Sequence, residues 1–136
     1  MKTPILLILS LLFFISDSFC QSNEKADSFF EATFCEKIAD KENAGIIFTL
    51  DEFQKCDMKV KMVDENYLVS SFKLTIMPKE NSIDPIEHEI IGSIISEGVR
   101  EQIVSNAKSV FLEYIKAKNS SGEIVPGRPI KIIIKS

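Results

Sequence analysis

The feature that most constrains this chain is alternation. In the run from Tyr67 to Met77, YLVSSFKLTIM, the residues Leu68, Phe72, Leu74 and Ile76 fall on one face, and Ser71, Lys73 and Thr75 on the other. Period two sustained over this length is the pattern of a strand with one face buried and one in water. The same pattern returns near the end, where Ile130, Ile132 and Ile134 alternate with Lys131 and Lys135. It appears again in Val110–Ala117, with Val110, Leu112 and Tyr114 on one side and Phe111, Ile115 and Ala117 on the other. Before Tyr67, Met58, Val60 and Met62 alternate with Lys59 and Lys61, and the turn-forming Asp64-Glu65-Asn66 follows. These two runs predict a β-hairpin.

The remaining segments fill in around these strands. Ser28–Ala39 reads as a short extended piece pinned by Cys35, residues 21–28 as a polar disordered stretch, residues 40–45 as a loop, and Ile46–Leu50 as a strand. Residues 78–85, with two prolines, form a loop, and Ile86–Ile95 is a strand or the start of a helix. Residues 96–107 are helical, with Ser96 as N-cap and Val99, Ile103 and Ala107 on one core-facing stripe. Asn119–Gly122 supplies a turn with Gly122 available for positive φ. Pro126 and Pro129 delay the return strand to about Ile130, and its lysines suit an edge or near-edge position. One amphipathic helix cannot cover six or seven strands. The expected fold is therefore a β-rich α+β domain, a two-layer antiparallel sandwich-like body with one short helix before a C-terminal hairpin.

The first twenty residues have a different character. Lys2 precedes an apolar run from Ile5 to Ile15, then Ser16, Asp17 and Ser18. A short basic region, a short apolar core and small residues before a cut describe a secretory signal. The core is too short for the roughly 20 residues that span a bilayer. The expected cut lies between Cys20 and Gln21, leaving a single domain over residues 21–136 that is exported to the periplasm or beyond. A second reading makes Cys20 a lipidated cysteine that tethers the chain to a membrane. Phe19 sits where lipobox patterns want Gly, Ala or Ser.

Export bears on the cysteines. With Cys20 removed, Cys35 and Cys56 remain in an oxidising compartment, where a disulfide is the default expectation. Two free buried thiols are the alternative. Net charge is −4, and the lysines are spread along strand faces rather than clustered, so nucleic acid is not an expected partner. The only histidine, His88, lies between Glu87 and Glu89, but adjacent strand residues face opposite sides and cannot turn all three onto one ion. The sequence has no Gly-rich phosphate loop and no G-x-S-x-G. The expectation is a non-enzymatic protein, without cofactor or metal, that binds a protein in the cell envelope or outside it. Tyr114, Arg128 and Lys131, with the loop 78–85, are the candidate contact residues. The alternative is a secreted inhibitor or peptide-capture protein acting on an external enzyme.

One resemblance sharpens this. Phe111, Glu113, Ile115-Lys116-Ala117-Lys118, Gly122 and Pro129-Ile130 are similar to the closing hairpin of the C-terminal domain of GldM, a gliding-motility and type IX secretion protein. Val69, Ser71 and Phe72 are similar to that family's Val-x-Ser-Phe strand, and the helix at 96–107 is placed alike. The resemblance covers about residues 45–135. It implies a periplasmic, β-rich partner-binding module without catalytic residues, accessory to gliding or type IX secretion. Measured against that family, the chain is expected to lack its membrane helix and its other periplasmic domains, and Asn119-Ser120-Ser121-Gly122 stands where a Gly-Pro-Asp-Gly type of turn is typical.

Overall fold

The computed structural model describes residues 28–39 and 45–135. The expected signal segment, Cys20, the expected cut site, most of the polar stretch 21–28 and most of the loop 40–45 lie outside the described residues. The elements are β1 (Ala32–Phe34), β2 (Lys37–Ile38), β3 (Gly45–Thr49), α1 (Leu50–Lys55), β4 (Val60–Met62), β5 (Leu68–Pro78), β6 (Ile86–Ile91), α2 (Glu97–Asn106), β7 (Ala107–Lys118), β8 (Ile124–Gly127) and β9 (Ile130–Lys135).

The two longest alternating runs become the centre of a six-stranded sheet. β5 and β7 are antiparallel, with Leu74 opposite Leu112 and Ile76 opposite Val110. The order is β3-β9-β7-β5-β6, and β8 continues the β9 side along the other half of β7. A smaller sheet, β2-β1-β4, supplies a second layer. Between them, large side chains such as Phe34, Phe48, Phe53, Phe72, Leu112 and Ile132 are almost wholly excluded from water. Each such burial contributes about 1.5–3 kcal/mol. Phe34, Phe48 and Phe53 form a triangle of tilted and edge-on rings, with centroids 5.8, 5.9 and 6.4 Å apart. The molecule is thus a β-rich, sandwich-like α+β domain.

Several expectations hold in detail. Ser96 caps α2 by accepting from Val99 N–H, and Ile103 and Ala107 are buried on its core side, with Val99 packed beside them. Gly122 adopts φ of +84° in its turn. β9 is next to the edge, one strand in from β3. Cys35 and Cys56 form a disulfide, Cα to Cα 5.5 Å, which joins the β1–β2 turn to the residue closing α1.

Others are corrected. Met58–Met62 and Tyr67–Met77 do not form a hairpin, because β4 pairs with β1 in the smaller sheet while β6 and β7 occupy both sides of β5. The Asp64–Asn66 turn is a corner between layers. Among the described residues there are two helices: Leu50 does not end a strand but opens α1, capped by Thr49. The large sheet is mixed, since β3 pairs in parallel with β9. The return strand starts at Ile130 as expected, but a separate short strand, β8, precedes it at Ile124–Gly127 and pairs with the other half of β7. Pro126 is tolerated there because its peptide edge faces Phe30, whose N–H donates to the Pro126 carbonyl at 2.9 Å, so no hydrogen bond to β7 is lost.

The alternation also slips twice. On β5 the buried face runs Val69, Phe72, Leu74, Ile76, leaving Leu68 outside. On β7 it runs Val110, Leu112, Ile115, Ala117, leaving Tyr114 outside. The pairing explains both. One extra residue on β5 lies between Val69 and Ser71, and one extra on β7 lies opposite Ser71–Lys73. The two bulges offset each other, so the strands return to the same register.

Candidate partner-binding face

Both helices and the smaller sheet sit on one side of the large sheet, and the opposite side faces solvent. Its residues follow from the register. Lys131 of β9, Phe111 of β7, Thr75 of β5 and Glu87 of β6 lie in one row, and Glu113, Lys73 and Glu89 lie in the next. Lys131 Nζ stands over the Phe111 ring at 5.6 Å from its centroid. Lys73 Nζ reaches Glu87 at 3.1 Å and also stands 5.8 Å from the Tyr114 ring centroid. The Glu87 hydrogen bond raises the Lys73 pKa above the ordinary lysine value, against the opposing effect of desolvation.

Tyr114 stands out in this face. It has φ of +51°, a left-handed conformation that is uncommon for any residue with a side chain and rarer for a bulky one. The residue is 69% exposed. The backbone therefore bears strain of about 1–2 kcal/mol at a position where the side chain buries little. Two rows away, Leu68, Lys118 and Ile124 are opposite one another, with Leu68 75% and Ile124 58% exposed.

The sequence-derived contact residues are only partly brought together. Tyr114 and Lys131 share the outer face. Arg128 lies on the lateral edge where β8 gives way to β9, half-buried, with its N–H donating to the Phe30 carbonyl at 2.8 Å. The loop 78–85 is exposed apart from Pro78, with Ile83 standing in water, at the opposite end of β5 from Leu68. Leu68 and Ile124 were not anticipated. Nothing in the local sequence marks a bulge at Ser70 or Tyr114, since neither site carries glycine, and without the bulges Leu68 reads as core.

The histidine is placed as the strand pattern predicts. Glu87 and Glu89 point outward from β6, and His88 turns under α2, where Nε2 lies 2.7 Å from Gln102 Oε1. Among the described residues no group of three His, Cys, Asp or Glu side chains is arranged to hold a metal ion. No helix among them is long and apolar enough to cross a membrane. None of the family models, curated proteins or solved structures compared with the chain matches it.

Proposed function

We propose that this chain is an exported, non-enzymatic domain that binds a protein partner through the outer face of its large sheet. The observation that carries the reading is Tyr114. A strained, exposed aromatic that contributes little to the core is costly to the fold, and such strain concentrates where a surface has work to do. Exposed aromatics are also the side chains that most often anchor protein interfaces. The exposed Leu68 and Ile124 supply further apolar surface on the same face. The resemblance carried by Phe111–Lys118 and Pro129-Ile130 supports a partner within the envelope machinery of gliding and type IX secretion.

The test is capture from an envelope extract by immobilised protein, comparing wild type with Tyr114→Gly. Glycine relieves the left-handed backbone, so the variant stays within about 1 kcal/mol of wild-type stability. The expected outcome is a discrete envelope protein retained by wild type and lost by the variant. Equal retention by both, or an empty matrix with both, overturns the reading.

A further inference from the structure

The pairing of β4 stops short on one side. Toward β1, Cys35 N–H donates to the Lys59 carbonyl at 3.1 Å and Val63 N–H to the Glu31 carbonyl at 3.0 Å. Residues 59, 61 and 63 thus turn their peptide groups to β1, and residues 58, 60 and 62 turn theirs away from it. On that far side, Ile95 N–H donates to the Met58 carbonyl at 3.0 Å and Val60 N–H to the Ser93 carbonyl at 2.8 Å. Then the partner segment leaves. At Gly92, with φ of +98°, it crosses to the large sheet, where the Gly92 N–H donates to the Ser70 carbonyl at 2.7 Å. The N–H and C=O of Met62 are left facing a groove, with no strand among the described residues beside them.

The opposite bank is also an unpaired strand edge. The last β5–β6 pair is Ser71 with Ile91, so Leu68 and Val69 run on without a neighbour on that side. The groove between the two edges has a volume of about 420 Å³. It stays open at the Gly92 end, where a Cβ built on that residue would meet nothing within 4 Å. Buried Val60, Met62 and Val69 contribute an apolar floor. Two lysines and one acidic residue, Glu65, stand on the rim, so the lysines outnumber the acid. Lys59 makes no ion pair among the described residues, and Lys61 reaches only the exposed Glu36, at 4.0 Å.

We propose that this groove takes an extended segment of a partner protein that alternates small apolar and acidic side chains. Strand addition suits it because main-chain groups on both banks await pairing. Period two then sends apolar side chains down to Val60, Met62 and Val69 and acidic ones up to Lys59 and Lys61. The proposal rests on the reading of the chain as a binding domain and gives it a docking element separate from Tyr114.

The probe is the peptide acetyl-Val-Glu-Val-Glu-Val-amide, titrated into isotope-labelled protein and followed by amide chemical shifts. The expected result is saturable shifts at Met62, Leu68 and Val69. The analogue with lysine for glutamate binds about tenfold more weakly, a difference of about 1.4 kcal/mol. A fully N-methylated peptide, unable to donate to the groove, does not bind. The pair Lys59→Glu and Lys61→Glu, one half-buried and one exposed position, both outside the hydrophobic core, reverses the preference between the two peptides. Equal binding of both peptides, shifts confined to other surfaces, or no shifts overturns the proposal. If the groove fails while Tyr114-dependent capture persists, the binding-domain reading stands without it. If capture fails as well, both fall.

Discussion

At the scale of single residues, Gly127 and Tyr114 are opposite cases. A Cβ on Gly127 would sit 2.7 Å from Ile115 Cγ2 and 2.9 Å from Ile115 Cβ, so glycine is needed for close approach of β8 to β7. Gly127→Ala is expected to cost about 1–3 kcal/mol in urea denaturation. Because the clash is with one side chain, the cost should shrink in an Ile115→Ala background, and strict additivity in that double-mutant cycle would refute the account. Neither role is legible in sequence. The Pro-Gly-Arg-Pro stretch around Gly127 reads as a break between strands, and it becomes strand only because β7 and Phe30 supply partners on its two sides. Tyr114 reads as an ordinary member of an alternating run, and only the offset opposite β5 puts it in the left-handed region.

At the scale of elements, α1 shows a signal that was present and outweighed. Thr49 and Glu52 form a capping box: Glu52 N–H donates to Thr49 Oγ1 at 3.2 Å, and Thr49 N–H donates to the Glu52 carboxylate at 3.3 Å. The Thr-x-x-Glu spacing is a helix-start signature, yet the apolar run before it reads as a strand that continues through Leu50. Lys37 adds to the box by pairing with the Glu52 carboxylate, and it stands 4.6 Å from the Phe48 ring centroid. The Lys37 hydrogen bond first, and those from Thr49 next, hold the Glu52 pKa below the ordinary carboxylate value. A carboxyl depressed on folding adds stability above its unfolded pKa and loses it as pH falls through its folded one. Glu52→Gln should therefore flatten the fall in melting temperature between neutral and strongly acidic buffer. An unchanged pH profile would remove Glu52 from the account.

At the scale of the molecule, two cross-links hold the layers together. The disulfide closes a loop of 21 residues between the β1–β2 turn and the end of α1. Arg100 of α2 donates to the carbonyls of Gln54 at 2.7 Å and Cys56 at 2.9 Å, tying the second helix to the same corner. Replacing both cysteines by serine should cost about 3 kcal/mol, seen as a lower melting temperature with strand content retained in circular dichroism. Wild type melted in reductant should match that variant. Equal melting of wild type with and without reductant would show that the link carries no stability.

What the residues determined unaided is most of the strands, the helix at 96–107 with its Ser96 cap, the side of each strand that meets the core over most of its length, and the expectation that Cys35 pairs with Cys56. These depend on period and composition, which are local. What only the tertiary structure decided is which strand lies beside which, where β4 leaves β5 for the smaller sheet, and where two offsetting bulges turn Leu68 and Tyr114 into water. Alternation marks a face but is silent about the neighbour across the hydrogen bonds. That choice belongs to contacts made between residues far apart in the chain, once burial of the phenylalanine cluster and the central strands sets how the layers stack.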